Sequence, residues 1–477
     1  MHVKTIFGVF LLSFTNVTFP DLALANPATT HVIIGLAKDK GLPEKNIGMV
    51  MRSIKKNETV VSINPDEHFS PASLVKVITA WAAVQKWGPS YTFKTKVHHF
   101  KKSLCVEGGG DPALVHEQVF TIAEQVSKQV KDKIATVYVD DQILPTQRDY
   151  VTGFELDKHR AFTAPISGLS LNYNSLTIQI KAGAQGEKAE VLLTPYYKDL
   201  MDISNTVKVS KTKHNPTVSL VDMGKKWRIN VGGSMKPGYK QTFLRSIDSP
   251  QLYAGHAFAT YYAMFTKNAR PAIIHSTCPP GAKLVYTHYS KPLSEIIMLM
   301  NKFSNNMIAE SLFAQLGEPF GLVEGAEYLA ALAEKKIPFS PGMIIDKGSG
   351  LSRESKVTAK WFAQFFDVIG ENFFLQPEIF SSLSISGMDG TLKRRTNHPS
   401  LTQHIRGKTG SLSGVTALAG IINTPQWGPC VFAMFFKHKS IPAWKVHQLE
   451  KSILKKLMEP APKNLAGAVT LVPFETK

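Results

Sequence analysis

Hydrophobic and polar positions divide the chain into three textures. Near the start, Thr29 to Lys40 reads as a helix. Asn46 to Ile54 and Thr59 to Ile63 read as two strands, with Lys56-Asn57-Glu58 as the turn between them. A loop from Pro65 to Pro71 leads into Ala72 to Trp87, a strongly apolar predicted helix closed by Gly88. From about Thr92 to Ile274 short alternating strands take over, at 135–139, 175–180, 191–193, 217–221 and 227–231. Turn signals such as Gly108-Gly109-Gly110-Asp111-Pro112 and Pro237-Gly238 separate them. Helical patterning returns from Ser290, with helices predicted at 294–302, 307–316, 324–335 and 358–369. Three antiparallel strands follow, at 402–411, 414–423 and 429–438, and then an amphipathic helix at 442–458. The pattern predicts a helix-and-sheet domain made from both ends of the chain, 26–92 and 275–460. A β-rich region, 93–274, is inserted in it and reads as one or two domains. Residues 461–477 form a tail.

The first residues read differently. Met1-His-Val-Lys4 is a short basic start, Thr5 to Phe14 is apolar, and Ala23-Leu24-Ala25 is a small-residue cleavage site. This is the pattern of a cleaved secretory signal, residues 1–25, which places the mature protein in the periplasm. The apolar run is shorter than the roughly 20 residues of a spanning helix. Export permits disulfides, yet the three cysteines, Cys105, Cys278 and Cys430, form no framework, and at least one has no partner within the chain. With no Cys-x-x-Cys and no His-Glu-x-x-His, neither a metal nor another cofactor has sequence support.

Composition changes the picture in one respect. Of 477 residues, 43% are hydrophobic and 19% charged, as in a globular protein with a real core, but the formal charge is +18. No basic helix with interleaved aromatics argues for nucleic acid. The basic balance points instead to peripheral association with an anionic wall polymer or a membrane surface. A homodimer is left open.

Candidate chemistry begins with Ser73-Leu-Val-Lys76. Serine and lysine three apart share one face of a helix, and a desolvated neutral lysine can take the serine's proton. The spacing alone is weak, because Ser-x-x-Lys also starts at Ser53, Ser210 and Ser452. Only the copy at Ser73 opens an apolar helix, where free backbone N–H groups and the helix dipole favour an oxyanion. Ser304-Asn305-Asn306 lies in the predicted break between two helices, so that a hydroxyl for proton relay sits two residues from an amide, Asn306. Lys408-Thr409-Gly410-Ser411 lies in a strand. There the glycine signals close approach of another backbone, and the lysine and hydroxyls can receive a peptide's carboxylate. His404 reads as a strand residue. Asp111 and Asn174 read as turn and structural residues first, and as substrate contacts second.

Taken together, the order Ser-x-x-Lys, Ser-x-Asn, Lys-Thr-Gly is that of penicillin-binding proteins and β-lactamases. Further contexts narrow the match: Gly108-Gly-Gly-Asp-Pro112, Leu171-Asn-Tyr-Asn174, Gly348-Ser-Gly-Leu-Ser-Arg353, Asp389-Gly-Thr-Leu392 and Gly407-Lys-Thr-Gly-Ser-Leu-Ser-Gly414. With the long insertion, these resemble the D-alanyl-D-alanine carboxypeptidase/endopeptidase family of low-molecular-mass penicillin-binding proteins, from about Thr30 to His438. One departure is Lys347, where the family usually has an aspartate; Asp346 lies one residue earlier. The resemblance implies an α/β (α+β) transpeptidase-like domain, with a five-stranded antiparallel sheet between helices and nested β-rich insertions. It also implies serine-type hydrolysis of peptidoglycan peptides without a cofactor, and covalent inhibition by β-lactams. Ser73 would be the nucleophile and Lys76 the base. Ser304 would relay the proton, and Asn306 would position substrate and Lys76. Lys408 would supply charge, Thr409 would hold the terminal carboxylate, and the N–H groups of Ser73 and Ser411 would form the oxyanion hole. Two rivals remain: a β-lactamase, against which the insertion argues, and a non-catalytic wall-binding scaffold, against which the intact motifs argue.

Overall fold

The computed structural model describes residues 26–460, except 152, 154–158, 199, 224 and 225. The predicted signal and tail therefore lie outside the described residues. Helix α1 (Pro27–Asp39) starts at Asn26, whose side chain accepts from the N–H groups of Ala28 and Thr29. Strands β1 (Ile47–Ser53) and β2 (Glu58–Ile63) form an antiparallel hairpin. A 3-10 turn, Ala72–Leu74, runs into α2 (Val75–Trp87). Every residue from Val75 to Val84 is buried, so α2 is apolar on all sides and runs through the core.

After a long excursion the chain resumes with α3 (Leu293–Phe303) and α4 (Asn306–Leu316), joined by a break at Ser304 and Asn305. Later come α5 (Ala359–Glu371), the two-residue strand β3 (Ser384–Ile385) and the short α6 (Leu392–Arg395). The long strands β4 (Ile405–Leu412), β5 (Val415–Thr424) and β6 (Gly428–Lys437) precede the closing helix α7 (Ala443–Leu457).

The sheet runs in the order β3-β4-β5-β6-β1-β2, and every neighbouring pair is antiparallel. The expected five strands are present, with β3 as a sixth, short edge strand. The two halves of the chain meet where β1 pairs with β6, from Ile47 opposite Phe436 to Ser53 opposite Cys430. Strand alternation decides which face each side chain serves. Val431, Ala433 and Phe435 pack with α2, α4 and α5, whereas Phe432, Met434 and Phe436 pack with Ile33 of α1 and Leu449 and Ile453 of α7.

Residues between Lys94 and Tyr289 build their own core around Val97, Val137, Ile178, Ile229 and Tyr253. Their sheets of five, three, three and two strands match the β-rich expectation. Two long helices that the sequence reading did not include, His116–Gln129 and Pro250–Thr266, pack on each other beside these sheets. The outgoing strand Lys94–Phe100 pairs antiparallel with the returning strand Lys283–Tyr289, so the region leaves and rejoins the main body at one neck. Cys105 and Cys278 form a disulfide within it, and Cys430 stays free and buried in β6.

Candidate active site

Ser73 stands in the 3-10 turn ahead of α2, partly exposed while its neighbours Ala72 and Leu74 are fully buried. The turn is held in an unusual conformation, with Ala72 at φ 46°. Two glycines make room for it. A Cβ on Gly350, which itself has φ +73°, would lie 1.9 Å from the Ala72 carbonyl oxygen. One on Gly410 would lie 2.6 Å from the Pro71 carbonyl oxygen. Strand β4 therefore reaches the Ser73 turn backbone to backbone, as the strand glycine led one to expect.

One helical turn on, Lys76 is completely buried. Its Nζ lies 2.9 Å from Ser73 Oγ and donates to the Ser349 carbonyl at 2.7 Å. Burial pulls the Lys76 pKa down to about 7, against an opposing pull from the carboxylate of Glu310. Lys408, on β4, is also fully buried and donates to Ser304 Oγ at 2.8 Å and to the Thr409 carbonyl at 2.8 Å. Its pKa is pushed well down by burial first, then by Lys76 and Arg395. Ser304 ends α3 in the left-handed region, φ 56°, which turns its hydroxyl toward Lys408. Asn305, not Ser304, caps α4, accepting from the Ile308 N–H.

The three motifs thus converge at one edge of the sheet. The edge strand β3 pairs only with Arg406 and Gly407, so the outer rim of β4 from Lys408 onward has no strand partner among the described residues. An open strand rim is a place where a peptide can add as a strand. Thr409 Oγ1 donates to Thr391 Oγ1 at 2.9 Å, and Ser411 is exposed. Asn306 donates to the Phe162 carbonyl of the inserted region at 2.8 Å. No hydrogen bond joins it to Lys76 among the described residues. His404 lies in the turn before β4, not in a strand. Asn174 is buried and bonded to Leu171, Pro165 and Ser170, a structural role. Asp111 caps Ala113, while burial pushes its carboxyl up to about 6. Asp346 accepts from the hydroxyls of Ser352 and Ser355, bracing the loop that Lys347 opens.

A family model for D-Ala-D-Ala carboxypeptidase 3 (S13) matches residues 31–450. The chain belongs to that family. It is thereby a D-Ala-D-Ala carboxypeptidase, a hydrolase, as the resemblance carried by its motifs implied. The D-alanyl-D-alanine carboxypeptidase DacB of Haemophilus influenzae is 25% identical over 453 residues, covering 91% of this chain and 92% of that protein. An Actinomadura D-alanyl-D-alanine carboxypeptidase is 27% identical over 452 residues, covering 86% and 81%. The crystal structure of penicillin binding protein 4 (dacB) from Haemophilus influenzae matches with a TM-score of 0.74 at 23% identity, over 90% of this chain and 99% of that one. A structure of the same protein complexed with a β-lactam matches with a TM-score of 0.70. These matches show the fold.

In this carboxypeptidase the site holds a residue that motif reading passed over. Glu310 lies on α4, one turn beyond Asn306, and is completely buried. It accepts from the N–H groups of Gly348 at 3.0 Å and Ser349 at 2.9 Å. Thr79 of α2 donates to the Gly348 carbonyl at 2.7 Å. The loop whose Ser349 carbonyl takes the Lys76 proton donor is thus anchored from both sides. The signal was present in the sequence, since Glu310 is a lone charge in the apolar run Met307-Ile-Ala-Glu-Ser-Leu-Phe313. A buried charge is costly unless it is paired and bonded.

Proposed function

We propose that Ser73 is the nucleophile of a serine-type hydrolysis of peptidoglycan peptides in the periplasm, with Lys76 as its base. The observation that carries this is the 2.9 Å approach of Lys76 Nζ to Ser73 Oγ in a pocket that brings the lysine to about 7. A base near neutrality matches proton transfer at working pH. Neutral Lys76 takes the Ser73 proton as Oγ attacks the carbonyl of the penultimate D-Ala. The oxyanion rests on the N–H groups of Ser73 and Ser411. The C–N bond then breaks as Ser304, beside Lys408, gives its proton to the leaving amine, and the proton that Lys76 took from Ser73 replaces it, so that Lys76 is neutral again. Thr409 holds the substrate's terminal carboxylate, and Asn306 lines the donor side of the cleft. Neutral Lys76 then takes a proton from the water that attacks the ester and returns it to Ser73 Oγ as the shortened peptide leaves. Penicillins present the same carbonyl and carboxylate in a strained ring and acylate Ser73.

Intact mass spectrometry after incubation with benzylpenicillin tests the assignment. The wild type gains one penicilloyl mass and Ser73→Ala gains none. A wild type without an adduct, or a labelled Ser73→Ala protein, overturns it.

A further inference from the structure

In the inserted region the Cys105–Cys278 bridge has unusual company. The strand Lys94–Phe100 pairs antiparallel with the strand Ser103–Glu107, which sets His98 directly opposite Cys105 and Lys96 directly opposite Glu107. Two-residue alternation puts these four side chains on one face of the sheet. Asp140 lies beside Glu107 on the next strand, Thr136–Asp140. His98 Nε2 is 2.6 Å from one carboxylate oxygen of Glu107, and Lys96 donates to the other at 2.8 Å. Asp140 accepts from the backbone N–H groups of Gln142 at 3.0 Å and Cys278 at 2.9 Å, and so fixes the loop that carries Cys278. The ligand atoms of His98, Glu107 and Cys278 all lie within 4.8 Å of one another, as do those of Cys105, Asp140 and Cys278. Cys105 is buried and the other four residues are half-buried, so an ion can reach the cluster from solvent. The residues are scattered between positions 98 and 278 and form no spacing motif; strand pairing alone assembles them.

A disulfide needs only its two sulfurs. Two sulfurs with an imidazole and a carboxylate beside them are the donor set of a tetrahedral zinc site. We propose that reduction of the Cys105–Cys278 bridge converts this cluster into a zinc site, with Cys105, Cys278, His98 and Glu107 as the four ligands. An external dithiol supplies two electrons and two protons and leaves as its own disulfide, while the S–S bond becomes two thiols. Zinc then displaces both thiol protons to solvent. It enters between His98 and Glu107 in place of their hydrogen bond, and His98 turns a bare Nε2 to the ion with its ring proton on Nδ1. Zinc lies about 2.0–2.3 Å from such ligands, so they must draw to within about 4 Å of one another, a small closure of the present cluster. Two thiolates and a carboxylate outweigh the ion by a single negative charge, which the Lys96 ammonium on Glu107 faces. Asp140 stays a positioning residue, because its oxygens are already engaged by backbone. The ion joins the same two segments that the bridge joins, so the inserted region keeps a staple in either redox state. None of this depends on the Ser73 reading.

The test uses the full chain in two states, oxidised, or reduced with a phosphine and freed of metal. Thiol titration in guanidinium confirms that all three cysteines of the reduced chain are free. Zinc is then titrated against a chromophoric chelator, and cobalt(II) is added in parallel. The reduced chain is expected to take a single zinc ion. With cobalt it should show a thiolate charge-transfer band and the visible spectrum of a tetrahedral ion. The oxidised chain should bind at least about a hundredfold more weakly, having no thiolates to offer. His98→Ala and Glu107→Gln leave the bridge intact, and each should weaken zinc uptake by the reduced chain at least about tenfold. Cys430→Ser, in β6 and outside the cluster, should bind as the wild type does. Zinc should also raise the melting temperature of the reduced chain. Where the metal-free reduced chain has lost its fold by circular dichroism, zinc should restore it, since binding to an assembled site is folding free energy. Equal uptake by oxidised and reduced chains, uptake indifferent to His98→Ala, or no uptake by the reduced chain overturns the site.

Discussion

At Lys76 two forces act against each other. Burial strips the ammonium of water and lowers its pKa, while the Glu310 carboxylate stabilises the charged form and raises it, leaving about 7. A base that must be neutral to act gains activity as pH rises through its pKa. The second-order rate of penicillin acylation is therefore expected to climb along a limb centred near pH 7, measured by stopped-flow or by fluorescent-penicillin labelling. Glu310→Gln removes the opposing charge and should move that limb to lower pH. It should also reduce the plateau rate about tenfold or more, because Gly348 and Ser349 each donate to a different oxygen of Glu310 and an amide keeps only one of the two. An unmoved limb would show that Glu310 serves the loop alone. The contrast between Lys76 and Glu310 shows what the sequence could tell. Ser73 and Lys76 are adjacent in the chain, so spacing reveals them. Glu310 and Lys76 are far apart in sequence, and only the packing of α4 against α2 makes a carboxylate inside an apolar run part of the site.

Among the elements, the Ser73 turn depends on what does not fill space. Gly350 has φ +73° and sits against the Ala72 carbonyl, so Gly350→Ala adds both backbone strain and a clash. The expected result is about 1–3 kcal/mol of lost stability by thermal or denaturant melting. Penicillin acylation should fall by at least about tenfold, since small displacements of the nucleophile are costly. Wild-type acylation in a correctly folded Gly350→Ala protein would remove the turn from the argument. The buried helices of the main body were legible because each is an apolar run too long for a strand and ends at a stop, as with α2 and Gly88 or α4 and Gly317. The helix at His116–Gln129 was missed although Val119, Ile122, Ala123 and Val126 stand at helical spacing, because the turn-rich strands around it set the texture that was read. Its partner Pro250–Thr266 gave less to read. It is buried on most sides and rich in aromatics, a composition that suits a strand as well as a helix. Edge strand β3, two residues long, is below the length at which any pattern exists.

For the molecule as a whole, the cysteines give a direct check. The Cys105–Cys278 bridge spans 173 residues. In the chain-entropy picture, closing so long a loop is worth up to about 5 kcal/mol. Cys430 is buried and its thiol is pushed up to about 12 by burial, so it is almost all thiol at pH 8. Maleimide should label no cysteine in the native oxidised protein, one in guanidinium, and three in guanidinium with a reductant. A labelled native protein would contradict this arrangement. Cys278→Ser should lower the melting temperature of the inserted region while leaving penicillin acylation close to wild type, because both cysteines lie within that region, whose sheets pack around a core of their own. No helix among the described residues is long and apolar enough to cross a membrane.

The neck where Lys94 lies opposite Tyr289 also has a kinetic meaning. The strand pair β1–β6 and the contact between α2 and α4 must be made by segments separated by the whole excursion. Joining such ends through a floppy loop of about 190 residues would cost on the order of 4–5 kcal/mol in chain entropy before any contact returned it. Once the excursion has folded and zipped its own two ends together, that distance shrinks to the width of one strand pair. The inserted region is thus expected to fold ahead of the two catalytic halves that it joins.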